Sequence, residues 1–204
     1  AAREDETPIV PEVCIYFENQ LFRGNRTHKF NAQNFEAFRS FNYPALADAG
    51  VTLEYHKNAI RKPNFKKLKI YDGFDSNIAV LKLFPGITPN AVKAIFQTED
   101  LKAVVLETFG SGNAPDYQWM TEILTMATEK GIVVVNVTQC QVGTVEMGKY
   151  ETSIALKNAG VISGFDITTE AAVTKLMHLF GNTKNPEDVK VTFSRSIAGE
   201  ITES

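Results

Sequence analysis

The residues best suited to chemistry lie in two short loops, each of which directly follows an apolar stretch. Residues 107–113 read ETFGSGN, and residues 138–140 read TQC. The glycines of the first loop allow its backbone to approach a ligand closely, and Asn113 carries a carboxamide that both donates and accepts hydrogen bonds. Asn113 can serve a ligand or cap the helix that follows it, and the sequence leaves both roles open.

Several other chemistries find no support in these residues. Residues 110–112 contain two glycines, but no Gly-x-Gly-x-x-Gly and no Gly-Lys-Ser/Thr sequence accompanies them, so a nucleotide site is not predicted. A catalytic Cys140 would need a nearby base. The three histidines are dispersed and lie outside these loops, so Cys140 is expected to be a buried structural thiol. No Gly-x-Ser-x-Gly motif and no metal-ligand spacing occurs, so neither a metal nor another cofactor is predicted.

The composition and the net charge of the chain limit the classes of partner that it is expected to bind. Its 204 residues are 44% hydrophobic and 22% charged, which is typical of a globular protein. The net charge of -3 favours neither nucleic acid nor an anionic membrane as a partner. Apolar runs such as 132–135 are far shorter than a membrane-spanning helix requires. Two cysteines, Cys14 and Cys140, suggest a reducing compartment.

The elements that must position the two loops alternate between strand and helix patterns. The predicted strands are 78–84, 103–106 and 132–137, and the predicted helices are 89–97, 116–130, 151–158, 170–180 and 186–196. This alternation predicts a parallel sheet with right-handed crossover helices. The nearly continuous apolar run of residues 78–84 predicts a strand covered on both faces. Because ligands bind beyond the carboxyl ends of such strands, both loops are expected at the ligand edge.

The first third of the chain has a different pattern. Residues 13–23 predict a β-hairpin, and residues 51–55 alternate as a strand does. Residues 61–69 carry five positive charges, which a solvated linker explains better than a nucleic-acid site.

Three longer stretches resemble the asparaginase/glutaminase family, and most closely its cytosolic type I branch. Residues 106–115 (LETFGSGNAP) resemble the signature loop of the C-terminal asparaginase domain. Residues 131–150 (GIVVVNVTQCQVGTVEMGKY) and 159–171 (AGVISGFDITTEA) resemble the type I enzymes. Upstream, residues 11–13 and 21–27 (LFRGNRT) are similar to the end of the family's N-terminal domain. The resemblance covers essentially the whole chain.

The resemblance implies a fold and a reaction. The fold would be a three-layer, flavodoxin-like or Rossmann-like α/β domain over residues 75–204, preceded by a hairpin remnant of the N-terminal domain within residues 1–30. Residues 31–74 would connect the two domains. The full enzyme would hydrolyse L-asparagine to L-aspartate and ammonia in the cytoplasm, as a homodimer or homotetramer. Its nucleophile lies in an N-terminal Thr-Gly-Gly-Thr motif, which this sequence lacks, so no catalytic residue is expected here.

Few site residues carry over from the family. Asn113 is similar to the Asn that the C-terminal domain directs towards the active site of a neighbouring subunit. Tyr150 and Glu151 lie near an acidic substrate contact of extracellular relatives. Some type I enzymes have a second, allosteric asparagine site, whose counterparts here would be Glu107, Asn113 and Cys140. Some relatives have a basic residue at the position of Glu107, which would pair with the effector carboxylate, and the acid in this sequence departs from that pattern.

Two alternatives remain open from the sequence. An isolated asparaginase-like domain could bind an amino acid or assemble with a partner without catalysing a reaction. The related amidotransferases that act on glutaminyl or asparaginyl transfer RNA share the fold, but residues 138–150 resemble the type I enzymes better. The balanced charge gives no support for RNA binding.

Overall fold

A computed structural model describes residues 3–4, 7–33, 36–63, 67, 69–149 and 151–202. The chain forms two compact units, of which the first comprises residues 1–70 and 198–200 and the second comprises residues 71–197 and 201–204. Among the described residues, no helix is both long enough and apolar enough to cross a membrane.

The first unit is built from short antiparallel strands. They are β1 (Arg3–Glu4), β2 (Thr7–Pro8), β3 (Cys14–Phe17), β4 (Gln20–Arg23), β5 (His28–Lys29), β6 (Phe38–Arg39), β7 (Ala47–Ala49) and β8 (Leu53–Tyr55), with a 3-10 turn at Gly24–Arg26. β3 and β4 pair from Cys14 with Arg23 to Phe17 with Gln20, which confirms the predicted hairpin. β7 and β8 extend the same sheet in the order β3-β4-β7-β8, so part of the predicted connecting segment belongs to the hairpin's sheet.

A buried ion pair in the first unit connects the β3-β4 hairpin to other segments of that unit. The Arg23 guanidinium bonds to the Glu12 carboxylate, and both side chains are only 4% exposed. Arg23 also donates to the carbonyl oxygens of Ala59 at 3.0 Å and Gly199 at 3.1 Å. Because a buried charge is tolerated only when its hydrogen bonds are satisfied, these contacts hold the hairpin against residues 59 and 199.

The second unit is a parallel sheet with helices on both faces. Its strands are β9 (Ile78–Lys82), β10 (Ala103–Thr108), β11 (Val133–Thr138) and β12 (Ile162–Ser163), in the order β12-β11-β10-β9. Every neighbouring pair is parallel. The helices are α1 (Pro89–Phe96), α2 (Gln118–Glu129), α3 (Glu151–Asn158), α4 (Thr169–Asn182) and α5 (Pro186–Phe193).

Two hydrophobic cores define the layers of the second unit. One face of the sheet packs against α1, α2 and α3 through Leu81, Val92, Leu106, Leu124, Val134 and Leu156. The other packs against α4 and α5 through Val105, Val135, Ala172, Leu176, Val189 and Phe193. Alternate residues of a strand face opposite sides, so successive valines enter different cores. The three-layer α/β fold with a parallel sheet is therefore confirmed.

Local signals explain most of the element boundaries. Thr88 caps α1 by accepting a bond from the Ala91 nitrogen, and Thr168 caps α4 in the same way through Ala171. Gly131, which follows α2, has a φ of 87°, a conformation that glycine adopts without strain.

One sequence prediction about the sheet was wrong, and one strand was not predicted. The first strand ends at Lys82 rather than residue 84, and it lies at the edge of the sheet with Val80 45% exposed. Its apolar run therefore does not mean that both faces are covered. β12 was not predicted, because two residues are too few to show a strand pattern.

Candidate functional site

The loops that follow β9, β10 and β11 are cross-linked at the carboxyl edge of the sheet. β10 and β11 end in register at Thr108 and Thr138. The Gln139 side chain donates from Nε2 to the carbonyl oxygens of Leu83 at 2.7 Å and Glu107 at 2.9 Å. The Thr138 hydroxyl donates to the carbonyl oxygen of Gly110. Side-chain bonds thus join the ends of three parallel strands into one fixed edge, where a parallel sheet binds ligands.

Asn113 closes a tight loop at this edge. The Phe109 nitrogen donates to the Asn113 carbonyl oxygen at 2.9 Å, and the Asn113 nitrogen donates back to the Phe109 carbonyl at 2.8 Å. The Asn113 Oδ1 accepts a bond from the Thr152 hydroxyl at 3.1 Å. Within the described part of the chain, Asn113 Nδ2 donates to no protein group, so two N–H donors are available for a ligand.

The alternative role of Asn113 as a helix cap is wrong. α2 begins at Gln118, and its N-cap residue is Tyr117, which makes no side-chain cap bond. Asn113 precedes that cap and belongs to the closed loop instead. Its carboxamide therefore does not cap α2.

A buried polar network centred on β11 holds the loop that contains Asn113. Asn136 of β11 is fully buried, and its Nδ2 donates to the Gly112 carbonyl at 3.0 Å while its Oδ1 accepts from the Thr108 hydroxyl at 2.6 Å. Gly112 has a φ of 107°, and a Cβ there would lie 2.8 Å from Cγ1 of Val145. Only glycine fits this close approach. Asn136 was not predicted as a site residue, although a lone amide within the apolar run VVVNV is the available signal.

Glu107 faces the other side of the sheet. Its Oε1 accepts from the Thr169 hydroxyl at 2.7 Å, and its Oε2 lies 3.6 Å from the Lys82 ammonium. Thr169 is the first residue of α4, where the helix dipole also stabilises a carboxylate. Glu107 and Thr108 point to opposite faces because successive strand residues alternate. The side chains of Glu107 and Asn113 therefore bond to different layers, and the prediction that both serve one allosteric site stays a prediction.

Cys140 lies on the surface at the same edge. Its thiol is free and exposed, so the expectation of a buried structural thiol was wrong. The Cys140 nitrogen donates to the Thr138 hydroxyl at 3.0 Å. The bond fixes the backbone of the residue and leaves the sulfur accessible to solvent.

The two cysteines are expected to differ in reactivity. Burial, and secondarily the charge of Glu12, raises the pKa of the Cys14 thiol. At neutral pH the thiolate fraction of Cys14 is therefore smaller than that of a thiol with the ordinary pKa. Thiolate is the form that iodoacetamide alkylates. Cys140 should be labelled first in a time course followed by peptide mass spectrometry, and Cys140→Ser should leave only slow labelling. Equal rates at the two positions would contradict this expectation.

The remaining predicted site residues lie at the start of α3. Glu151 is its first residue and is exposed, and Thr152 beside it bonds to Asn113. Tyr150 lies outside the described residues. The structure therefore brings Asn113 next to the helix turn that carries Glu151. No cluster of three His, Cys, Asp or Glu residues suited to a metal ion occurs in the described ranges.

Comparison with known protein families adds to this geometry. The family model of the glutaminase/asparaginase C-terminal domain matches residues 77–193, which is more than half of the chain. The chain belongs to the glutaminase/asparaginase family. The model of the N-terminal asparaginase domain matches residues 1–61, so both asparaginase models match this chain. The family resemblance drawn from the sequence is thereby confirmed.

Relatives within this family are similar over almost the whole chain. The chain is 38% identical to L-asparaginase 1 of Escherichia coli K12, over 95% of the chain and 57% of that protein. It is 42% identical to the 60 kDa lysophospholipase of Homo sapiens, over 95% of the chain and 34% of that protein. The solved structure of L-asparaginase I from Vibrio cholerae has a TM-score of 0.89 at 38% identity and covers 95% of the chain. The chain spans 58% of that structure and so corresponds to part of each relative.

Proposed function

We propose that this chain is part of an L-asparagine amidohydrolase, in which it contributes Asn113 and Glu151 to a site shared between subunits. The observation that carries the proposal is the Asn113 carboxamide at the carboxyl edge of the sheet, with its oxygen tied to Thr152 and its amide hydrogens available. The family matches support asparagine as the substrate, since the bacterial relatives are named asparaginases.

The chemistry of these residues suits an amino-acid substrate. Hydrolysis of the asparagine side-chain amide adds water and releases ammonia and aspartate. The amide hydrogens of Asn113 can donate to a substrate carboxylate or carbonyl oxygen, and the exposed carboxylate of Glu151 can bind an ammonium group. We propose Tyr150 as a further substrate-binding residue. We propose that the nucleophile is a threonine of a Thr-Gly-Gly-Thr motif, which these 204 residues do not contain.

The organisation of the full enzyme follows from the same proposal. Residues 1–30 would complete the N-terminal domain, residues 31–74 would connect the domains, and residues 75–204 would form the C-terminal domain. The enzyme would be a homodimer or homotetramer with an N-terminal domain facing each C-terminal domain. Glu107, Asn113 and Cys140 remain candidates for an allosteric asparagine site. Two free thiols support a reducing, cytoplasmic location.

Ammonia release separates this proposal from a non-catalytic binding module. The purified 204-residue chain is expected to release no ammonia from L-asparagine, because it lacks the nucleophile. A full-length protein that carries both the chain and the threonine motif should release one ammonia for each aspartate formed. Activity of the 204-residue chain above a heat-killed control would contradict the assigned nucleophile. Asparagine binding by an inactive full-length protein would favour the binding module.

A further inference from the structure

We propose that Thr152 is a positioning residue, whose hydroxyl holds the Asn113 carboxamide so that its amide hydrogens face the substrate. This inference rests on the proposed function. It assigns a role to a residue that itself need not touch the substrate. The pairing joins residues 39 positions apart, which places the first turn of α3 directly against the loop that follows β10.

Three successive loop residues are each held by a different bond. The Glu146 nitrogen donates to the Ser111 carbonyl at 2.9 Å, and the Asn136 amide donates to the Gly112 carbonyl at 3.0 Å. Both of these bonds fix the backbone of the loop. The Thr152 hydroxyl instead bonds to the Asn113 side chain. Among the described residues, Thr152 is the one hydrogen-bond partner of the Asn113 carboxamide. The backbone is therefore fixed by other groups, while the rotamer of Asn113 depends on Thr152.

The hydroxyl of Thr152 bonds outside its own helix, as the hydroxyl of Thr169 does at the start of α4. Thr125 and Thr174 each donate to the carbonyl oxygen four residues earlier, at 2.9 Å in both cases. This local bond is the usual one for threonine within a helix. Thr152 is the second residue of α3, so the residue four positions earlier lies before the helix. Its hydroxyl is consequently available for a bond to another part of the fold, and it donates to Oδ1 of Asn113.

The same contact also links the two predicted halves of the site. Glu151 precedes Thr152 in the first turn of α3, and the buried Ser153 hydroxyl follows, accepting a bond from the Gly148 nitrogen at 3.1 Å. The first turn of α3 is thus fixed to the chain before it by Ser153 and to the Asn113 loop by Thr152. These bonds hold the backbone of the turn that carries Glu151 next to the Asn113 loop.

Steady-state kinetics of the full enzyme test this role. Thr152→Val keeps the shape of the side chain and removes its hydroxyl, so the Asn113 carboxamide can leave its rotamer. We expect KM for L-asparagine to rise about threefold to tenfold, which corresponds to the loss of one neutral hydrogen bond, while kcat changes less than about twofold. Thr152→Ser restores the hydroxyl and should restore KM. The control Thr174→Val removes an exposed hydroxyl that bonds only within α4, and it should leave KM unchanged.

A double-mutant cycle shows whether Thr152 acts through Asn113. In an Asn113→Ala background, Thr152→Val should add less than about a twofold change, because the group that it positions is gone. An equal effect of Thr152→Val in both backgrounds would overturn the proposal, as would an unchanged KM in the single variant. A fall in kcat with a constant KM would indicate loss of folded enzyme instead, and it would also count against positioning.

A structural readout keeps this proposal distinguishable from the proposed function. If Asn113→Ala leaves the kinetics unchanged, the proposed substrate contact of Asn113 fails. Crystal structures of the Thr152→Val and Thr152→Ser enzymes then decide the positioning role by themselves. A displaced Asn113 carboxamide in the valine variant and a retained one in the serine variant support the inference. An unmoved carboxamide in the valine variant overturns it.

Discussion

Asn113→Ala in the full enzyme is expected to lower kcat/KM for L-asparagine by about 10-fold to 100-fold. The change removes the two amide donors that the carboxyl edge of the sheet presents, and a hydrogen bond to a charged or strongly polarised oxygen contributes about 1.5–3 kcal/mol. The backbone of the loop should survive the substitution, because the Phe109 main chain and the Asn136 side chain both bond to main-chain atoms of the loop. The loss is therefore expected in catalysis rather than in folding.

Asn113→Asp separates the donor role from simple packing. The aspartate has the same shape and can still accept a bond from Thr152, but it replaces two donors with a negatively charged oxygen. A substrate carboxylate would be repelled, so kcat/KM should fall at least as far as in the alanine variant. Asn158→Ala, an exposed change at the last residue of α3, is the matched control and should keep full activity. An active Asn113→Asp enzyme would contradict the donor role.

The sequence predicted the elements of the second unit because their signals are local. The predicted bounds of α3 agree with Glu151–Asn158, and Thr88, Thr168 and Asn185 cap α1, α4 and α5 through side-chain bonds within three residues. A capping residue and a run of apolar positions act over one or two helical turns, so both signals can be recognised in a short stretch of sequence. The edge position of β9 depends on its neighbours in the sheet, and no local pattern reveals that.

The candidate site was predicted only in part, for the same physical reason. The closeness of loops 107–113 and 138–140 follows from parallel pairing, because adjacent parallel strands end at one edge. The partners of individual side chains do not follow from it. Thr152 meets Asn113 across 39 residues, and Asn136 meets Gly112 across 24. Strand alternation places Glu107 towards α4, but its bond to Thr169 depends on how α4 packs.

Asn136→Leu is expected to lower the free energy of unfolding by about 3 kcal/mol. Leucine has a similar volume, so the change creates little cavity, and its cost comes from unpaired polar groups. The Gly112 carbonyl loses the donor of its 3.0 Å bond, and the Thr108 hydroxyl keeps only a long bond to the Val137 carbonyl at 3.3 Å. Both atoms lie in buried residues, where a group without a partner costs about 1–3 kcal/mol.

A second substitution tests whether unpaired groups are the cause of that loss. In Asn136→Leu, adding Thr108→Val removes the hydroxyl that has lost its better partner, and about 1 kcal/mol should be recovered. Urea unfolding followed by circular dichroism measures each variant, with Asn158→Leu as an exposed control expected to change stability by less than about 0.5 kcal/mol. If Asn136→Leu were as stable as the parent, the network would not hold the loop. The Gly112 carbonyl directly precedes Asn113, so the loss of its bond should also displace the proposed substrate contact. The variant should therefore lose activity even at temperatures where it stays folded. That result would show that the buried amide of Asn136 helps to position Asn113.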